Sequence, residues 1–257
     1  MSDFNTLELL TDDRGFATLW LSRESKNNAF NAEMIRELIL ALDKVSNDAS
    51  LRFLLVRGRG KHFSAGADLA WMQQSAELDY HTNLDDAREL AELMYNLAKL
   101  KMPTLAVVQG AAYGGALGLI SACDMAIGAE DAQFCLSEVR IGLAPAVISP
   151  FVVQAIGERA ARRYALTAER FNGERARELG LLSECYPLAE LEQHIGQLPI
   201  GLDHLNAQRH FADLPEGTYT LWGYGFQIDH NGDYIKKPMS EATGKEILTE
   251  LVKQLGF

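Results

Sequence analysis

Two short runs rich in β-formers, residues 4–10 and 15–21, are separated by Thr11-Asp12-Asp13-Arg14-Gly15, and this pattern predicts a hairpin. A polar loop from Ser22 to Phe30 follows. Asn31 then stands as a helix N-cap ahead of Met34, Ile35, Leu38, Leu42 and Val45, which recur at helical spacing. An apolar run at 51–57 predicts a third strand, closed by Gly58-Arg59-Gly60, and Asp68 is placed to cap a helix begun by Leu69, Trp71 and Met72. Residues 85–100 give a clearer helix, with Ala87, Leu90, Leu93, Met94, Leu97 and Leu100 on one stripe and Pro103 to end it. Residues 104–108 read as a strand, and helical patterns recur at 147–156, 158–166, 173–179, 189–195 and 240–255. Strands alternating with helices through residue 166 define an α/β fold in which parallel strands deliver loops to one edge.

Composition narrows the class. At 257 residues and 47% hydrophobic content, the chain can bury one substantial core, or a main domain with a small appendage. A formal net charge of -11 argues against nucleic acid or an anionic membrane as partner, since both need clustered Lys and Arg. The three cysteines, Cys123, Cys135 and Cys185, have neither metal-ligand spacing nor an even count. They read as reduced core thiols, and the expected location is the cytoplasm. No secretory signal is visible, and no apolar run approaches bilayer-spanning length. His62 and His81 lack partners at metal-ligand spacing and read as surface residues, so no metal site is expected.

Three constellations carry candidate chemistry. The first is a pair of small-residue loops, Ser64 to Asp68 and Tyr113 to Ala116, each directly after a strand. The N–H groups of Ala67 and Gly115 could both bond one thioester carbonyl oxygen and stabilise the charge it gains as an enolate, one such donor being worth about 10²–10³ in rate. The plainer alternative is close packing of helix on sheet. The second is Glu138, alone among apolar neighbours, where burial would raise its pKa towards a working acid or base. Its alternative is a half-exposed strand-end carboxylate paired with Arg140. Asp124 and Glu130 are weaker candidates because both sit in turn-like surroundings. The third is the loop holding Arg23, Lys26 and Asn28, which could meet a phosphate or hold an adenine, or could simply be solvated.

Phe63-Ser64-Ala65-Gly66-Ala67-Asp68-Leu69, the stretch from Gly110 to Asp124, and Ser137-Glu138-Val139-Arg140-Ile141-Gly142-Leu143-Ala144-Pro145 together resemble the crotonase family, the enoyl-CoA hydratases and isomerases. The resemblance spans about residues 4–197. It implies a crotonase-like spiral of ββα units, assembly as homo-trimers or trimer pairs, and an acyl-CoA substrate whose coenzyme A is part of the substrate, with no separate cofactor. By motif match, Ala67 and Gly115 would form the oxyanion hole and Glu138 the catalytic carboxyl. Arg23, Lys26, Asn28, Ala29, Ala65, Asp68 and Leu69 would bind the CoA portion, while the family's usual lysine after the Ala-Asp-Leu motif is Ala70 here. Hydratases of the family usually carry a further glutamate just after the Gly-Gly turn; that position is Gly118.

A lone glutamate fits an isomerase, because one base can remove a proton and return it. However, Glu138 followed by Val-Arg-Ile-Gly-Leu-Ala-Pro-Ala-Val-Ile-Ser-Pro, with Gly-Gly-Ala-Leu-Gly before it, looks like the branch that hydrates 3-methylglutaconyl-CoA and isohexenylglutaconyl-CoA, in leucine or acyclic-terpene breakdown. A second carboxylate on such substrates would help position the water. A non-catalytic acyl-CoA-binding protein is the alternative of another class. The organisation implied is an acyl-CoA-binding catalytic domain over 1–197 and an atypical segment over 198–257, which could be fused or chimeric. That segment, over about 204–257, resembles a C-terminal piece of the oleate hydratases. The family instead carries helices there that cover the acyl site and pack on a neighbouring subunit, so the pocket is expected to lack its usual cover and the trimer its usual seam.

Overall fold

The computed structural model describes residues 4–197 and, beyond them, strands at 217–221, 224–228 and 234–236. The chain divides into two compact units, 1–196 and 197–257. The first unit opens with β1 (Leu7–Thr11), β2 (Phe16–Leu21), α1 (Ala32–Asn47), β3 (Phe53–Gly58), α2 (Leu69–Ser75), α3 (Tyr80–Ala98) and β4 (Thr104–Val108). β5 (Ala111–Tyr113), α4 (Gly115–Ala122), β6 (Met125–Ala129) and β7 (Gln133–Cys135) follow. It closes with α5 (Ser149–Ile156), α6 (Glu158–Thr167), β8 (Phe171–Asn172), α7 (Gly173–Leu179), β9 (Glu184–Tyr186) and α8 (Leu191–Gln197).

The main sheet has the order β1-β2-β3-β4-β6-β9. Its first pair is the antiparallel hairpin, and the other pairings are parallel. Asp12 holds the hairpin turn by accepting the Arg14 N–H at 2.9 Å, and Gly15 supplies a φ of +85°. β4 is buried at every position, the pattern of a strand covered on both faces. A second sheet, β5-β7-β8, is parallel at β5–β7 and antiparallel at β7–β8.

Helix α1 forms as its spacing predicts. The Asn31 side chain accepts the Met34 N–H at 3.0 Å, and Met34, Ile35, Leu38, Ala41, Leu42 and Val45 are buried. Each of the larger ones, Ala41 apart, contributes about 1.5–3 kcal/mol of burial. α3 starts at Tyr80 rather than residue 85, because Asp79 caps it by accepting the Thr82 N–H at 2.9 Å. α5 starts at Ser149 rather than 147, and α8 is preceded by a 3-10 turn at Leu188–Glu190. β5, β7, β8 and β9, each three residues or fewer, are too short for a sequence period to announce them.

In the second unit β10 (Gly217–Leu221), β11 (Tyr224–Ile228) and β12 (Tyr234–Lys236) form an antiparallel meander, with Tyr219 opposite Phe226 and Gln227 opposite Ile235. The helix expected at 240–255 lies outside the described residues.

Candidate active site

β3 and β4 are parallel neighbours, so the loops that leave them emerge at one sheet edge. The loops are stitched together there. Ser64 N–H donates to Ala111 O at 3.1 Å, and Tyr113 N–H donates to Ser64 O at 3.0 Å. Gly66 has φ +89°, and a Cβ on it would come within 2.6 Å of Tyr113 O, so this approach needs glycine. Phe30 joins both loops, a role that sequence reasoning missed. Its main chain brackets Ala67, with Phe30 N–H donating to Gly66 O at 2.7 Å and Asp68 N–H donating to Phe30 O at 2.8 Å. Its ring lies on the other loop, 3.2 Å from where a Gly115 Cβ would stand. An apolar residue closing a polar loop was the available signal.

The bridge to Phe30 uses the groups on either side of Ala67 and turns the Ala67 N–H to the opposite side. Gly115 is the first residue of α4, where a helix leaves its N–H groups without intrahelical acceptors. Among the described residues neither the Ala67 N–H nor the Gly115 N–H has a hydrogen-bond partner. Gly114 presents this turn with φ 52° and ψ −122°, a conformation that side chains rarely adopt.

Glu138 opens a 3-10 turn, Glu138–Ile141, that ends on Gly142 at φ 75°. Its carboxyl stands over Gly114: Glu138 Oε1 is 3.1 Å from where a Gly114 Cβ would be. Glu138 Oε2 is buried and has no hydrogen-bond partner among the described residues. Burial pushes this carboxyl above the usual carboxylate range, opposed by a weaker pull from its own backbone N–H. The alternative pairing with Arg140 is not made, since Arg140 Nη2 donates to Ala168 O at 2.8 Å. The residue sits in a turn rather than at a strand end.

The other expected contact residues divide. Arg23 is a strut: its guanidinium meets Asp68 Oδ2 at 3.1 Å and also donates to Ala29 O. Asn28 is fully buried in left-handed backbone (φ 54°) and spends its side chain internally. It accepts the Arg23 N–H at 2.9 Å and donates to Arg59 O at 2.9 Å and His62 O at 2.8 Å. Lys26 is exposed, Ala29 is buried, Ala65 is half-buried with its N–H on Asn27 O, and Leu69 is exposed. Asp68 caps α2 through the Ala70 N–H at 2.9 Å. His62, expected at the surface, is half-buried, and its Nδ1 accepts the Ala111 N–H at 2.9 Å. Asp124 pins the start of β4 by accepting the Thr104 N–H and hydroxyl, while Glu130 is exposed. Among the described residues no three His, Cys, Asp or Glu side chains cluster as a metal site, and no helix is long and apolar enough to cross a membrane.

A mixed sheet with flanking helices, carrying two strand-end loops that offer free N–H groups beside one buried carboxyl, places the molecule in the crotonase fold class. The chain belongs to the enoyl-CoA hydratase/isomerase family, whose profile matches residues 11–210, and it is an enoyl-CoA hydratase-like enzyme. A second profile, the MCRA family, matches residues 203–257. The crystal structure of an enoyl-CoA hydratase from Shewanella pealeana is 36% identical, with a TM-score of 0.72 over 99% of this chain and 90% of that one. A hydroxycinnamoyl-CoA hydratase-lyase of Pseudomonas fluorescens is 32% identical over 74% of this chain and 70% of its own length. A trans-2-decenoyl-[acyl-carrier-protein] isomerase of Streptococcus mutans is 33% identical over 74% of this chain and 73% of its own.

Proposed function

We propose that residues 1–197 form the catalytic domain and hydrate a branched α,β-unsaturated acyl-CoA bearing a second carboxylate, of the 3-methylglutaconyl-CoA or isohexenylglutaconyl-CoA type. The observation that carries this reading is the Glu138 carboxyl, buried beside Gly114 with one oxygen unpartnered and its pKa raised. In the proposed reaction Glu138 takes a proton from water as the water oxygen bonds to the β-carbon. The displaced electron pair moves to the thioester oxygen, where the Ala67 and Gly115 N–H groups stabilise it. Glu138 then returns a proton to the α-carbon, so one carboxyl serves both halves of the addition. The second carboxylate of the substrate holds the water in line.

Of the loop expected at coenzyme A, Lys26 keeps a side chain free to reach a phosphate, while Arg23 and Asn28 shape the backbone around it. Glu138→Gln tests the reading. Hydration should fall by about 10²–10⁴ while the protein stays folded, and full activity would remove Glu138 from the mechanism. The presence of one carboxyl beside the donors also supports a second reading, double-bond isomerisation, in which Glu138 moves a proton between carbons and adds no water. We further propose that 198–257 is a separate appended segment; a profile other than that of the enoyl-CoA hydratase/isomerase family, the MCRA family, matches 203–257, which supports this reading.

A further inference from the structure

Helix α4 carries Gly115 at its first position and Gly118 three residues on, so the two share a face of the helix. That face is closed at Gly118. A Cβ there would lie 2.3 Å from Ile148 Cγ2, 2.7 Å from Ile148 Cβ and 3.3 Å from Met94 Cε. Ile148 is 2% exposed and Met94 is wholly buried. Because the Ile148 Cβ is itself in the way, turning χ1 does not clear the space; the backbone at 148 must shift. Ile148 also borders a mostly apolar cavity of about 110 Å³, lined by Leu136, Pro145, Val152 and Ala161 together with Ser149 and Arg162. A side chain at 118 would therefore first meet the hydrocarbon of Ile148 and Met94, which offers a carboxylate no hydrogen-bond partner, a costly burial while Ile148 is in place.

We propose that Ile148 is the specificity-determining residue of the candidate site. With Gly118 it fills the α4 face below the oxyanion donor with hydrocarbon, so the protein supplies one carboxyl and selects enoyl thioesters that bring a carboxylate of their own. The inference rests on the hydratase reading above and names what restricts its substrate. Ile148 is the residue just before α5, a helix N-cap position where glycine is tolerated, so the plug can be removed without breaking the helix.

The test is a set of variants assayed on 3-methylglutaconyl-CoA and on plain crotonyl-CoA, with melting temperatures recorded. Gly118→Glu alone should melt lower than wild type and gain no hydration of crotonyl-CoA. Gly118→Glu with Ile148→Gly should recover folding and raise kcat/KM on crotonyl-CoA by about 10²-fold. A folded double variant with no gain overturns the proposal, as does Gly118→Glu alone with wild-type melting and new crotonyl-CoA activity. Should the double variant not fold, Gly118→Ala decides the steric claim. It should lower the melting temperature in the wild-type background and by much less beside Ile148→Gly, and equal losses in both backgrounds overturn it. Wild-type turnover of neither ester, nor of isohexenylglutaconyl-CoA, would instead sink the hydratase reading, while the melting cycle still judges Ile148.

Discussion

Gly114 joins the two halves of the candidate chemistry. Its φ of 52° and ψ of −122° set the start of α4, and its bare Cα leaves room for Glu138 Oε1. Gly114→Ala should cost about 1–3 kcal/mol in stability and reduce kcat further than that loss explains, because the added methyl presses on the carboxyl. Denaturant unfolding beside steady-state kinetics checks both. Glu138 also predicts a pH dependence. Its folded pKa is raised by burial, so its contribution to stability is complete below its unfolded pKa and is lost as pH rises through the folded value. Activity has the opposite sign, since the base form is needed. The acid limb of the kcat/KM profile should lie above the usual carboxylate range, and an inflection at an ordinary carboxylate value would contradict the burial argument. Asn28→Ala removes three internal hydrogen bonds and should cost about 2 kcal/mol, or about 4–8 °C in melting temperature.

At the scale of elements, long periodic segments were legible and short ones were not. The stripe of α1 and the buried run of β4 announce themselves because six apolar side chains at helical spacing, or four in a row, have few other uses. Asp79 shows the limit: its cap extends α3 backwards through Tyr80-His81-Thr82, where no hydrophobic period exists. The candidate site was legible as small residues after strands, since close backbone approach leaves glycine little competition. What stayed hidden was the use of each side chain. Arg23 reads from sequence as a loop residue for a phosphate or an adenine, and nothing there announces that its guanidinium stands 3.1 Å from Asp68 Oδ2, with the pair 17% and 12% exposed. Asp68 feels burial raising its pKa, yet Arg23 and the N–H groups of Ala70 and Trp71 outweigh that and hold it below the usual carboxylate range. Its contribution is therefore present at neutral pH and lost as pH falls through the folded value. Arg23→Gln should loosen the α2 end of the loop and raise KM for the CoA ester more than it lowers kcat. An unchanged KM would show that the strut does not shape the CoA-binding backbone.

For the whole molecule, the profile matches meet near residues 203–210, just past the boundary between the two units. If 198–257 is the separate appended segment proposed above, it replaces the helices that the crotonase resemblance leads one to expect, and with them the expected cover of the acyl site and the seam between subunits. Sedimentation equilibrium should accordingly show no stable trimer at micromolar concentration; a tight trimer would show that residues before 197 carry the seam themselves. The central claim is that one buried carboxyl, facing two free backbone donors, adds water to a thioester that carries its own second carboxylate. The most direct measurement is the product mass from the wild-type chain with 3-methylglutaconyl-CoA. The prediction is a product heavier than the substrate by one water. A product of unchanged mass with the double bond moved, or no product at all, would contradict it.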